Sequence, residues 1–163
     1  MKIADAFAKI FLYALLFTAC QPSNQKVQTD LPFYLPDDLE VTLWAETPMF
    51  YNPTNMDIDA RGRVWVTEAV NYRNFNNNST AFLHHPKGDR VMILEDTNND
   101  GVADSSKLFV QDTSLVSPLG IAVMGNKVIV SCAPNLIIYT DEDGDDKPDK
   151  KEIDRVYGQN NAS

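Results

Sequence analysis

From Asn52 onward the chain is a series of short apolar runs separated by clusters of Gly, Pro, Asn and Asp, and none carries the three-to-four-residue period of an amphipathic helix. The pattern predicts strands. A first set covers residues 52–59, 62–69, 90–95 and 107–110, and a second set covers residues 117–124, 126–133, 135–140 and 151–156. The first set is longer because residues 71–89 are inserted where the second has only the turn Ala133-Pro134-Asn135. Ahead of both, residues 39–45 alternate apolar and polar positions except at Trp44, which predicts one further strand with a single buried face.

Four short strands that recur as a unit predict an all-β chain of β-propeller blades, because blades laid side by side protect one another's edges. Closure takes about four to eight blades. About two four-stranded antiparallel blades can be traced here, so the remaining blades are expected outside this chain. Residues 39–45 would then complete a last blade, and the polar ending at residues 158–163 reads as a tail after an interrupted ring.

Each set carries an acidic loop after its third strand. In residues 96–104, Asp96, Asn98, Asp100 and Asp104 place side-chain oxygens at the first, third, fifth and ninth positions, with Val102 offering a carbonyl and Gly101 the turn. In residues 141–149, Asp141, Asp143, Asp145 and Asp149 repeat the spacing, with the Lys147 carbonyl at the seventh position. Such spacing lets a short loop wrap a hard cation, so both loops are candidate calcium sites. Asp146 holds the sixth position of the second loop, which predicts a strained turn there and makes it the weaker candidate. A helix-loop-helix calcium module would place Glu152 at the twelfth position of the second loop, but the flanks read as strands. The alternative, that these are solvated Asp- and Gly-rich turns, rests on the turn preferences of the same residues.

A length of 163 residues suits one modest domain, and a formal charge of -9 argues against a nucleic-acid partner. Residues 1–19 read as a signal segment expected to be helical: Lys2 and Lys9 precede an apolar core too short to span a bilayer, followed by Thr18 and Ala19. Cys20 directly after them resembles the acylated cysteine of a bacterial lipoprotein, which would anchor the chain to the membrane on the extracytoplasmic side. Plain secretion is the alternative reading. Residues 20–30 read as a polar tether and residues 31–157 as the partial propeller. Cys132, in an apolar run, reads as core packing.

The combination of Asn52-Pro53, residues 59–68, Ile93-Leu94-Glu95-Asp96-Thr97, residues 118–122 and residues 139–145 resembles the N-terminal part of the bacterial membrane-bound dehydrogenase propellers, relatives of the glucose/sorbosone dehydrogenase group. The resemblance runs from about Leu31 to Tyr157. It implies a six-bladed propeller in the cell envelope, a carbohydrate or small alcohol as substrate, and a quinone or haem to take electrons in the full-length protein.

Chemistry within these residues is sparse. Glu68 ends an apolar strand beside Asn71, Tyr72 and Arg73, so Glu68, Tyr72 and Arg73 are the weak catalytic candidates, against the simpler expectation that Glu68 pairs with Arg73 or Arg63. His84 and His85 lie in the inserted segment and lack the further ligands of a zinc site. No phosphate-binding glycine loop or serine elbow is present. Two readings result: the opening portion of a lipid-anchored, calcium-binding propeller dehydrogenase, not catalytic by itself, or a non-catalytic calcium-binding surface lipoprotein or binding module on the same scaffold.

Overall fold

The computed structural model describes residues 34–72 and 85–155. The expected signal helix, the tether and Cys20 lie outside those residues, as do Arg73 and His84. Eight strands follow in chain order: β1 (Pro53–Ile58), β2 (Val64–Glu68), β3 (Arg90–Glu95), β4 (Ser105–Gln111), β5 (Gly120–Met124), β6 (Lys127–Cys132), β7 (Asn135–Thr140) and β8 (Lys150–Arg155). They form two four-stranded antiparallel sheets, β1-β2-β3-β4 and β5-β6-β7-β8, each a meander in sequence order. The all-β expectation and the four-strand grouping hold.

Residues 39–45 do not form the expected strand. Alternation supplies a buried face, but a strand also needs a neighbour's edge for its backbone groups, and both sheets are complete without this segment. It is held at isolated points instead: the Trp44 carbonyl accepts from Ala103 N at 2.7 Å, and the Met49 carbonyl accepts from Ser106 Oγ at 2.7 Å.

The two sheets repeat each other residue by residue. Val64 pairs with Leu94 two residues before Asp96, and Val128 pairs with Tyr139 two residues before Asp141. Successive strand residues face opposite sides, so this register fixes which faces correspond. Trp65, Val91 and Ile93 of the first sheet meet Val128, Val130, Ile137 and Tyr139 of the second in one buried cluster, with Phe109 and Leu115 filling its margin. The Phe109 ring stands edge-on to Trp65 at 4.9 Å between centroids and to Tyr139 at 6.3 Å. Cys132 joins this core, its sulfur between the backbone of Ser114 and Val116, so it packs as a small apolar group. Burial pushes its thiol up, away from the reactive thiolate.

Polar contacts key one sheet to the other. Thr54 Oγ1 donates to the Pro118 carbonyl at 2.6 Å, Asn55 Nδ2 to the Leu119 carbonyl at 3.3 Å, and Val123 N to Asp57 Oδ2 at 2.7 Å. Gly88 makes a different contribution. At φ 94° it lets the backbone at the start of β3 run against Asp112, where an added Cβ would stand 1.7 Å from the Asp112 carbonyl oxygen.

Candidate metal-binding loops and the opposite end of the sheets

The β3–β4 and β7–β8 connections are the two acidic loops, and they share one backbone. Positive φ falls at the fourth position of each, Asn99 at 58° and Gly144 at 79°, and again at the sixth, Gly101 at 91° and Asp146 at 66°. The same hydrogen bonds close both. The first-position carboxylate accepts from the sixth-position amide, Gly101 N to Asp96 at 2.8 Å and Asp146 N to Asp141 at 3.1 Å. The fifth-position carboxylate accepts from the seventh-position amide, Val102 N to Asp100 and Lys147 N to Asp145, both at 2.9 Å. The ninth closes the loop, Asp104 accepting from Thr97 N at 3.0 Å and Asp149 from Glu142 N at 2.6 Å. Carboxylates at these positions stabilise the turn by local bonds, whether or not they also bind a cation.

The side chains differ. In the second loop Asp141, Asp143 and Asp149 bring one carboxylate oxygen each within 4.8 Å of one another. Calcium–oxygen distances of about 2.3–2.6 Å put ligands of one ion no farther apart than about 5 Å, so this spacing fits a shared ion. Asp145 stands outside the trio, with Lys147 Nζ at 3.0 Å from its Oδ2. In the first loop the matching positions are Asp96, Asn98 and Asp104, an amide between two carboxylates. There Asn98 Nδ2 donates to Asp100 at 3.1 Å, and the Thr97 hydroxyl lies 2.8 Å and 2.9 Å from the two Asp104 oxygens. Val102 is exposed at the rim of the first loop, and Lys147 at that of the second.

Asp146 turns away from its own loop to the other sheet. Its Oδ1 accepts from Arg63 Nη1 at 2.6 Å and its Oδ2 from Lys107 Nζ at 3.0 Å, while Arg63 Nε is held 2.8 Å from Asp59 Oδ2. Burial alone would raise the Asp146 carboxyl, but the two cations outweigh it and hold the group below its ordinary value. Asp59 follows the same balance: burial raises it, and bonds from Trp65 Nε1, at 2.9 Å, and from Arg63 lower it further. The strain expected at position six is therefore present as a left-handed backbone, and the residue there ties the two sheets together.

At the opposite end of the sheets the sequence-predicted candidates take other partners. Glu68 is fully buried, and its bonds run to Arg90 and Tyr51 rather than to Arg63, which is engaged by Asp59 and Asp146. Arg90 grips both Glu68 oxygens, through Nε at 2.5 Å and Nη2 at 2.8 Å, and Tyr51 N donates to Glu68 Oε1 at 2.8 Å. Of the two expected partners Arg73 lies outside the described residues, and Arg90 stands in the place expected of Arg63 because it lies across the sheet on the same face, a neighbour that β2–β3 pairing creates. With both oxygens engaged, Glu68 is placed as an anchor and not as a free base. Tyr72 is exposed beyond it.

Asp89 was missed. It is fully buried, accepts from Asn71 N at 3.1 Å and from Ser117 N at 2.8 Å, and so joins the inserted segment to the connection between the sheets. Burial pushes its carboxyl up, against those two bonds. Asn71 in turn brackets His85, its Oδ1 accepting from His85 N and its Nδ2 donating to the His85 carbonyl, both at 3.0 Å. His85 Nδ1 and Ser117 Oγ are buried there without a partner among the described residues. A signal for Asp89 was available in Gly88-Asp89, an acidic residue at a strand start after a turn glycine, but nothing local named its partners.

The family described as a domain of unknown function, DUF7133, matches residues 28–162, most of the chain. The chain belongs to DUF7133. Within this DUF7133 domain lie both sheets, both acidic loops and the Glu68 and Asp89 clusters. No curated protein and no solved structure matches the chain. Among the described residues no helix is long and apolar enough to cross a membrane.

Proposed function

We propose that this DUF7133 domain is a scaffold unit of a calcium-stabilised β-propeller on the extracytoplasmic side of the bacterial envelope, anchored through a lipid on Cys20. The observation that carries the reading is the repetition: two four-stranded meanders in matched register, each closing its third and fourth strands with the same nine-residue acidic turn. Adjacent sheets of one build, with one face of each against the next, are how a propeller is assembled. In the second loop Asp141, Asp143 and Asp149 are the ligands, with the Asp145 carboxylate and the Lys147 carbonyl at hand; in the first, Asp96, Asn98, Asp100 and Asp104, with the Val102 carbonyl. A bound cation offsets the repulsion of carboxylates crowded into each loop, which stabilises the folded state in proportion to its occupancy.

The resemblance to membrane-bound sugar and alcohol dehydrogenases puts the redox step, with its quinone or haem and its carbohydrate or alcohol substrate, in the assembled protein. The role of these residues is then structural. That both Glu68 oxygens are engaged by Arg90 and Tyr51 supports this division, and it equally favours the second reading, a non-catalytic calcium-binding lipoprotein. Calcium titration by calorimetry, with thermal unfolding followed by circular dichroism before and after chelator, tests the reading. A binding heat and a cooperative transition that moves down on chelation are expected; no heat and an unchanged transition would leave the loops as turns.

A further inference from the structure

Asp89 leads into β3 with no exposed surface, and among the described residues every donor to its carboxyl is neutral. Asn71 N gives to Oδ1 at 3.1 Å and Ser117 N to Oδ2 at 2.8 Å, while Asp89 N donates to the Leu115 carbonyl at 2.8 Å. The charged and titratable groups around it supply no bonded cation. Glu68, on β2, is a second fully buried acid, and Arg90, next to Asp89 on β3, is engaged by both Glu68 oxygens. Asp112, whose N reaches the Asp89 carbonyl at 3.4 Å, turns its carboxylate to Lys151 Nζ and the Tyr139 hydroxyl. Cys132, on β6, keeps its proton because burial pushes its thiol up. His85 is near enough to favour the charged carboxyl but makes no bond to it.

A carboxylate held away from water without a bonded cation is costly, and uptake of a proton removes that cost. Burial pushes the Asp89 carboxyl up, in the direction this geometry requires. The proton also has an acceptor at hand. Ser117, whose N already lies on Oδ2, is 7% exposed and left-handed at φ 57°, and its Oγ is buried without a partner among the described residues. His85 Nδ1 is a second such atom at this end of the sheets.

We propose that Asp89 is a proton-operated fastening: as the medium acidifies from neutral, its carboxyl takes a proton and donates it in a hydrogen bond to Ser117 Oγ, which tightens the joint between Asn71 and the connection that links the two sheets. The inference stands apart from the cation and propeller reading. Its sign follows from linkage. A carboxyl raised in the folded state adds stability that is complete below the ordinary carboxylate value and is lost as pH rises through the higher folded value. Asp59 and Asp146, both lowered, act in the opposite sense. One end of the sheets is therefore fastened by losing a charge and the other by keeping its charges.

Carbon-detected NMR of the full chain in mild detergent, with the aspartate carboxyls isotopically labelled, decides it. The Asp89 resonance, identified as the one missing from Asp89→Asn, is expected to titrate with a midpoint above the ordinary carboxylate value. Ser117→Gly suits the left-handed backbone and removes the acceptor, so it lowers that midpoint. By urea unfolding, wild type gains stability relative to Asp89→Asn as pH is lowered from about 7 to about 5. A midpoint at or below the ordinary value overturns the proposal, as does a midpoint that Ser117→Gly leaves in place. So does a proton taken by His85, read from its ring carbons, while Asp89 stays ionised. Where Asp89→Asn does not fold, assignment through the backbone amide of Arg90 identifies the same resonance in wild type and in Ser117→Gly.

Discussion

The loops 96–104 and 141–149 have the same turns and the same backbone bonds, yet they do different work in the molecule. The first is bound chiefly to itself, through Thr97 on Asp104 and Asn98 on Asp100. The second crosses to the other sheet through Asp146, and three of its other carboxylates gather as Asp141, Asp143 and Asp149. The difference comes from single residues at matched positions. Asp for Gly at the sixth position exchanges an unstrained turn for a left-handed aspartate and two ion pairs, and Asp for Asn at the third replaces an amide between two carboxylates by a third carboxylate. One shared backbone therefore holds a loop bonded chiefly to itself in the first sheet and a loop tied across to the neighbouring sheet in the second, with few changes of residue.

The largest expected effect removes the linkage. Arg63→Ala removes the cation that Asp59 and Asp146 share, leaving Asp59 with Trp65 and Asp146 with Lys107, and a broken buried pair of this kind costs about 3 kcal/mol. Urea unfolding at neutral pH measures it. The pH dependence has a defined sign: Asp59 and Asp146 are depressed in the folded state, so their contribution is complete above the ordinary carboxylate value and is lost as pH falls through the lower folded values. Wild-type stability should thus fall more steeply than that of Arg63→Ala below about pH 4. Parallel curves would mean that the pairs contribute nothing.

A smaller loss is expected of Asp146→Gly, which copies the first loop's sixth position into the second. It relieves a left-handed aspartate, worth about 1 kcal/mol, but leaves Arg63 with Asp59 alone and Lys107 without a partner among the described residues. A net loss of about 1–2 kcal/mol by urea unfolding is the expected outcome. A gain in stability would show that turn strain outweighs the linkage.

The smallest effect on the metal-free fold belongs to Asp143→Asn, which copies the first loop's third position. In chelator it should lie within about 0.5 kcal/mol of wild type, since Asp143 is exposed. Its affinity for calcium should drop about tenfold by calorimetry, as affinity tracks ligand charge. Unchanged binding heat would remove the carboxylate trio as the ligand set.

Much of the fold was legible in the sequence for local reasons. Strand positions followed from apolar alternation, and the loops from Asp, Asn and Gly at turn spacing, because both depend on residues within a few positions of one another. Residues 39–45 show the limit: their alternation is real, but no sheet edge receives them. Glu68 shows another. It was singled out, and its oxygens turned out to be taken by Arg90, 22 residues away in sequence, and by Tyr51.

What the chain determined by itself is the repeated unit: four strands, an acidic turn, and a register that puts Asp96 and Asp141 in the same place. Periodicity and turn chemistry are encoded within each unit, so they survive any uncertainty about how the units pack. Only the tertiary structure decided that Asp146 would meet Arg63 across 83 residues, that Asp89 would gather Asn71 and Ser117, and that the carboxylate trio would form in the second loop. Those outcomes depend on which sheet face turns inward and which backbone groups burial leaves without water. Such partners are chosen by proximity in space, which the order of residues along the chain does not state.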